Sequence, residues 1–118
     1  MKNRISRRSF LAVALAVTGC DAKKSKKAVT EITVWNYYNG DQLESFNRLV
    51  STFNETIGKA KGIRVSGSSQ GTVNDLEANV MDAAEGKVGS AEMPTIFAAY
   101  ADTAYKLDQM GMVVDLKD

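Results

Sequence analysis

The side chains that most often carry out enzyme chemistry are scarce in this chain. Its 118 residues include no histidine and one cysteine, Cys20, and no carboxylates are clustered at the spacing of metal ligands. A catalytic metal centre and a Ser-His-Asp nucleophile are therefore excluded. We predict that the protein is not an enzyme and that it uses no metal and no cofactor.

What remains is a set of hydrogen-bonding and aromatic side chains in three short segments, 36–40, 67–71 and 98–102. Side chains of these types suit binding of a small, polar, uncharged solute better than they suit catalysis. The candidate ligand-binding residues are Tyr37, Tyr38, Ser69, Gln70, Tyr100 and Asp102. Two alternatives stay open, because Trp35 beside this group could pack in the core and Asp102 could simply cap a helix.

One of these segments has the setting of a phosphate-binding loop without its residues. The sequence from Gly67 to Thr72, GSSQGT, is expected to lie between a strand and a helix. It lacks the lysine of the P-loop and does not match G-x-G-x-x-G. Nucleotide binding is therefore disfavoured.

The elements that position these segments follow from the hydrophobic pattern. We predict strands in Glu31–Trp35, Ile63–Ser66, Thr95–Ala98 and Met112–Leu116. Between them we predict three helices that begin at a capping box in Asp41–Glu44, at Thr72, and at Asp102 or Thr103, and that end near Gly58, Gly86 and Gly111. The residues expected to face inward are Leu43, Phe46, Leu49, Val50, Phe53 and Ile57; Val73, Leu76, Val80, Met81 and Ala84; and Ala104, Leu107 and Met110.

Strands and helices that alternate in this way predict an α/β fold with a mainly parallel sheet in the order βαβαβαβ. Ligands of such open sheets bind at the carboxyl ends of the strands. The three polar segments follow the first three predicted strands. We therefore expect them to meet at one edge of the sheet.

The first residues of the chain have the order of an export signal. The basic residues Lys2, Arg4, Arg7 and Arg8 precede an uncharged segment, 10–18, which is followed by Gly19 and Cys20. This segment is about half the length of a membrane-spanning helix. We predict a signal peptide in residues 1–19, containing a signal helix, and a flexible lysine-rich tether in residues 20–28.

Two motifs in the signal sharpen this prediction. The sequence SRRSFL at residues 6–11 resembles the twin-arginine export motif, and VTGC at residues 17–20 resembles a lipoprotein box. The resemblance implies lipidation of Cys20, export that depends on Arg7 and Arg8, and anchoring to the outer face of the cytoplasmic membrane. Export through the Sec route and an unmodified Cys20 are the alternatives.

The charge of the chain is divided unevenly. Residues 28–118 hold seven Lys or Arg against 13 Asp or Glu, a formal charge of −6, so the basic excess lies entirely in the first 27 residues. An acidic folded part is a poor match for nucleic acid. We therefore predict no nucleic-acid partner.

The order of these features resembles the start of an extracellular solute-binding protein of an ABC importer, in the carbohydrate-type family that includes maltose-binding protein. The residues that carry the likeness are the lipobox, the lysine tether, Ile32–Trp35, Phe53-Asn54, Ile63–Val65, Met93–Phe97, Asp102 and Val114–Leu116. The resemblance implies capture of a sugar or similar solute between two lobes and delivery to ABC permease subunits. In that family an aspartate at the place of Asp102 commonly binds a sugar hydroxyl.

The resemblance also sets an expectation about the extent of this chain. Members of that family are considerably longer and close a second lobe over the ligand. We therefore expect residues 29–118 to be a partial N-terminal lobe and the sequence to be a fragment. The alternative is a small stand-alone cell-envelope lipoprotein with a structural or protein-interaction role.

Overall fold

Three parallel strands form the sheet at the centre of the molecule. The computed structural model describes residues 27–117. The strands are β1 (Thr30–Asn36), β2 (Ile63–Ser69) and β3 (Ile96–Phe97), in the order β2-β1-β3. The main helices are α1 (Gly40–Phe53), α2 (Val73–Ala84) and α3 (Ala101–Gln109). The predicted α/β class with a parallel sheet is confirmed for this part of the chain.

Helices α2 and α3 contribute most of the buried core on one face of the sheet. Trp35 of β1 and Phe97 of β3 are paired in register and point to the same face, because side chains alternate along a strand. The buried apolar residues are Trp35, Leu76, Val80, Ala84 and Leu107. Leu76, Val80 and Leu107 are fully buried, so the predicted inward positions are confirmed where α2 and α3 pack most closely.

Helix α1 packs less completely, on the opposite face. It contacts β2 at the sheet edge, where the ring of Phe46 lies over Gly67. No residue of α1 is fully buried, and Leu49 is 70% exposed. Ile57, beyond its end, is 53% exposed. The predicted inward face is therefore wrong at Leu49 and Ile57, because the apolar stripe is wider than the strand edge that it meets.

The helical chain does not stop at Gly58 as predicted. After α1 it widens into a π-helical segment, Asn54–Gly58, and ends after a further α-helical turn, Lys59–Lys61. The helix closes at Gly62, whose φ of 71° is left-handed, as is usual for glycine after a helix. Gly58 instead has ordinary helical dihedrals and is buried.

The π-helical segment places a side chain on the open edge of β2. Asn54 Nδ2 donates to the carbonyl of Val65, and the Val65 N–H donates to Asn54 Oδ1, both at 2.8 Å. The amide thus copies the pair of bonds that a neighbouring strand would make. It blocks part of an edge that could otherwise pair with another chain.

Strand β3 is shorter than the predicted Thr95–Ala98 because side chains replace the ladder at its start. The Thr33 N–H donates to Thr95 Oγ1 at 3.2 Å, and the Thr95 N–H donates to Thr33 Oγ1 at 2.9 Å. Pro94, which is buried just before them, has no N–H to give. The pairing therefore continues past the two strand residues through two hydroxyl groups.

The starts of the helices agree with the sequence at α2 only. Thr72 caps α2 as predicted, and its bonds with Asp75 form a complete capping box. Helix α1 begins after Asn39 without a side-chain cap, so the predicted box in residues 41–44 is wrong. Helix α3 begins after Tyr100, so the predicted caps Asp102 and Thr103 are wrong; both lie inside the first turn, where Thr103 is buried.

The capping box at α2 predicts a pH dependence. Hydrogen bonds from the Thr72 hydroxyl and the Thr72 N–H lower the pKa of Asp75. Because the folded-state pKa lies below the ordinary value, the stabilisation is complete above about pH 4 and is lost as the pH falls through the lowered pKa. Asp75→Asn should keep the acceptor oxygen and lose this dependence.

Urea denaturation at pH 7 and pH 3 measures this effect. Wild type should lose slightly more stability than Asp75→Asn over this interval, and the difference should be small because the carboxylate is solvent-exposed. Asp41→Asn, in the uncapped first turn of α1, is the control and should resemble wild type. Equal losses in wild type and Asp75→Asn would contradict the prediction.

The chain after α3 contains no fourth strand within the described residues. Gly111 ends α3 as predicted, with a left-handed φ of 70°. Residues 112–117 are exposed and irregular, so the predicted strand Met112–Leu116 is wrong, as is the inward position of Met110, which is 40% exposed. In the described part of the chain the segment pairs with no strand of the sheet.

Among the helices of residues 27–117, none combines the length and the apolar composition that a membrane crossing requires. The signal peptide, Arg7, Arg8 and Cys20 lie outside the described residues, as does most of the tether.

Candidate functional site

The order of the strands creates a crevice at their carboxyl ends. From β1 the chain passes to β2 on one side, and after β2 it crosses to β3 on the other side. The segments that follow the adjacent strands β1 and β3 therefore lead to helices on opposite faces of the sheet. This is the position at which open α/β sheets bind their ligands.

A cleft of about 140 Å³ lies between the ends of β1 and β3. We name it the switch cleft; its lining residues are Tyr37, Val73, Leu76, Ala98, Ala99 and Tyr100. Tyr37 is 39% exposed and Tyr100 57% exposed, so both aromatic side chains are accessible to a ligand. The structure thus brings together two of the six candidate residues, which lie far apart in the sequence.

Asn36, the last residue of β1, carries an unusual polar group beside this edge. Its side chain is buried, and Oδ1 accepts the N–H of Tyr38 at 3.0 Å. Its Nδ2 is buried and has no hydrogen-bond partner among the described residues. A buried donor without a partner costs about 1–3 kcal/mol and is uncommon in folded proteins. The sequence pattern predicts that the strand ends at Asn36, but it does not indicate that the side-chain Nδ2 is buried without a partner.

Tyr38 and Ser69 have structural contacts that reduce their availability to a ligand. The Ser69 hydroxyl donates to the carbonyl of Tyr38 at 2.7 Å, which ties the end of β2 to the end of β1. The Tyr38 ring lies 5.5 Å, centroid to centroid, from both Tyr37 and Phe46. These two candidates therefore support the edge of the sheet and do not line the switch cleft.

Gln70 lies in a different cavity from the switch cleft. Its backbone N–H donates to the carbonyl of Asn36, while its side chain points among residues of α2 and the loop after it. Because β2 continues to Ser69, the polar loop after it is shorter than the predicted segment 67–71. Gly67 and Ser68 belong to the strand.

The start of α3 is held by a residue that sequence reasoning missed. Glu77 of α2 accepts the N–H of Tyr100 through Oε1 at 3.0 Å and so takes the place of a local cap. A carboxylate at a helix N-terminus is favourable because the first N–H groups are unpaired. The two residues are 23 positions apart in the sequence, so no local motif predicts this contact.

Asp102 does not line the switch cleft. It is exposed in the first turn of α3, and its side chain makes no hydrogen bond within residues 27–117. The same part of the chain contains no group of three or more potential metal ligands. The hydrogen-bonding side chains that line the switch cleft are those of Tyr37 and Tyr100.

Three kinds of comparison with known proteins identify no relative. No protein-family model, no curated protein and no solved structure matches the chain. Any functional assignment therefore depends on the motifs and on the geometry described above.

Proposed function

We propose that this chain belongs to a lipoprotein that captures a sugar or a similar small polar solute for an ABC importer. The observation that supports this most is the switch cleft, which is lined by the exposed side chains of Tyr37 and Tyr100 at the carboxyl edge of a parallel sheet. Aromatic side chains offer apolar surface for the ring of a sugar and hydroxyl groups for its polar rim.

The size of the cleft makes it one wall of a site. Pockets that enclose small molecules usually measure about 300–1,000 Å³, well above the 140 Å³ of the cleft. A second wall would have to cover the solute from the opposite side. In the proposed protein a second lobe closes over the edge that carries Tyr37 and Tyr100, as in hinged binding proteins.

We therefore expect weak but localised sugar binding by this chain. Micromolar binding corresponds to about −8 kcal/mol and millimolar binding to about −4 kcal/mol. We assign a difference of this order to the second wall, so this chain should lie at the weak end. A titration of the ¹⁵N-labelled full chain with mono- and oligosaccharides should shift the amide signals of Tyr37 and of residues 98–100. Tyr100→Ala should abolish these shifts.

Tyr105→Ala provides the matched control. Tyr105 is an exposed tyrosine of α3, at 65%, that does not line the cleft, and its removal should leave the titration unchanged. Saturation at micromolar sugar would show that the site needs no second wall. Shifts confined to other surfaces, or no shift at 100 mM sugar, would refute the cleft as the solute site.

We further propose that the chain is exported and anchored to the outer face of the cytoplasmic membrane through lipid on Cys20, where it meets the permease subunits. A thiol can carry diacylglycerol, and the amine exposed by cleavage can carry a further acyl chain; two or more chains give stable anchoring. Cells fed a radioactive fatty acid should label wild type and not Cys20→Ser. Equal labelling of the two would contradict this proposal.

Arg7 and Arg8 provide a separate test of the export route. Replacing both with lysine keeps the charge and removes the planar guanidinium groups, so a receptor that reads the arginine pair should reject the variant. Normal export of this variant would indicate the Sec route and leave the lipid anchor unaffected.

A further inference from the structure

A second cavity, larger than the switch cleft, lies between β1, α2 and the loop that follows α2. It measures about 360 Å³, and we name it the amide cavity. It shares no lining residue with the switch cleft. Its aromatic, polar and charged lining residues are Trp35, Gln70, Asn79, Asp82, Lys87 and Ser90.

Two amide side chains in this cavity are linked by hydrogen bonds. Asn79 Nδ2 donates to Gln70 Oε1 at 3.0 Å, and Gln70 Nε2 donates to Ser68 Oγ at 3.0 Å. An amide group has two N–H donors and an oxygen with two lone pairs, so each amide keeps hydrogen-bonding capacity beyond these bonds. The cavity therefore offers donors and acceptors close together, which is what neighbouring hydroxyl groups require.

The charged groups of the cavity are paired with each other. Lys87 donates to Asp82 and lies 3.2 Å from Glu85, and the hydrogen bond to Asp82 raises the pKa of Lys87 above its ordinary value. A charged ligand would have to disrupt this cluster or accept repulsion from one of its members. An uncharged ligand avoids both costs.

Local hydrogen bonds hold the loop on the far side of the cavity. The Lys87 N–H donates to the carbonyl of Asp82, and the Ser90 hydroxyl donates to the carbonyl of Lys87 at 2.7 Å. Trp35, only 9% exposed, adds an apolar wall. A wall of this type favours the C–H groups of a ring, while the amides favour its hydroxyls.

We propose that the amide cavity is a second binding site, for one uncharged polyhydroxylated molecule the size of a single sugar ring or a linear polyol. Its volume lies within the usual range for sites that enclose a small ligand, whereas that of the switch cleft does not. This proposal reassigns Gln70 from the switch cleft to the amide cavity. It is independent of the proposed transport function, since it needs neither a second wall nor the tyrosines.

Tryptophan fluorescence provides a direct test, because Trp35 is the one tryptophan in the chain. Adding glucose or sorbitol to the purified full chain should change the Trp35 emission and reach saturation at millimolar concentration. Asn79→Leu should raise the glucose concentration needed for half-saturation at least tenfold, since an apolar side chain cannot form a hydrogen bond with a hydroxyl group. Asn74→Leu, on the same helix but outside the cavity, is the matched control and should respond like wild type.

Further variants separate this proposal from the previous one. Tyr100→Ala should leave the Trp35 fluorescence response unchanged, although it should abolish the shifts of the backbone N–H signals in the ¹⁵N titration of the switch cleft. If circular dichroism shows that Asn79→Leu does not fold, Gln70→Met takes its place, with the same tenfold weakening expected. Gluconate, a linear anion close in size to sorbitol, should bind at least tenfold more weakly than sorbitol.

Four results would overturn the proposal. The first is no saturable response to glucose or sorbitol up to 100 mM. The second is an unchanged response in folded Asn79→Leu or Gln70→Met. The third is an equal loss of response in Tyr100→Ala, and the fourth is equal binding of gluconate and sorbitol.

Discussion

Replacing Leu107 with alanine should lower the free energy of unfolding by about 2–5 kcal/mol. Leu107 is fully buried, and it is the one apolar residue of α3 in the described core. The change removes apolar surface from that core and leaves a cavity between α3 and its neighbours. A domain of this size has about 5–15 kcal/mol of stability in total, so the loss should be a large share of it.

Leu49→Ala is the matched control because it makes the same chemical change on an exposed surface. Leu49 is 70% exposed on α1 and should cost no more than about 0.5 kcal/mol. Urea denaturation followed by circular dichroism measures both variants. Equal losses for the two variants would mean that α3 is not anchored through Leu107.

Helix α2 shows what local sequence is able to predict. Its start at Thr72 and its buried residues Leu76 and Val80 follow from a capping motif and a helical period, both of which act within a few residues. The parallel sheet follows from the alternation of strands and helices. These features were predicted because the forces behind them are short in range or set by the chain order.

The predicted strand Met112–Leu116 shows the opposite case. Its apolar and β-branched residues favour extended structure, but a strand forms only where another edge accepts its hydrogen bonds. In the described residues the segment pairs with no strand, and Val114 is 79% exposed. The residues have the propensity of a strand, but the sequence does not show whether a neighbouring strand is present to pair with them.

The candidate site was predictable only at the level of the sheet edge. That Tyr37 and Tyr100 lie near each other follows from their positions after parallel strands. The bond from Ser69 to Tyr38 spans 31 residues, and the bond from Glu77 to Tyr100 spans 23. Contacts of this kind depend on how elements pack, so the sequence could not show that Ser69 is engaged or that Gln70 faces another cavity.

The predicted helix end at Gly58 is wrong because glycine is favoured in two different situations, at a left-handed φ and at a close approach between backbone segments. The sequence suggested a helix end, which requires a left-handed φ, but Gly62 has that role. Gly58 lies where the π-helical segment passes β2, and a Cβ on it would lie 2.5 Å from the carbonyl oxygen of Ile63. The Phe53 carbonyl oxygen, at 3.1 Å, closes the same space. Close approach to backbone is a property of the packed fold and leaves no mark on the local pattern.

Gly58→Ala should therefore destabilise the protein by about 1–3 kcal/mol, as overpacking usually does. The sign is informative, because alanine in a helix of ordinary dihedrals is otherwise about 1 kcal/mol better than glycine. Backbone atoms of Ile63 and Phe53 can move only by shifting the π-helical segment away from β2. That shift should also strain the paired hydrogen bonds between Asn54 and Val65.

Gly67→Ala makes the comparison that isolates this effect. A Cβ on Gly67 would also meet an atom at 2.5 Å, but that atom is in the ring of Phe46, which is half-buried and can rotate away. Gly67 lies in β2, where alanine also costs less chain entropy than glycine. We therefore expect a smaller loss in urea denaturation for Gly67→Ala than for Gly58→Ala. A stabilised Gly58→Ala would contradict this prediction, because it would show that the helical segment does not press against β2 at Gly58.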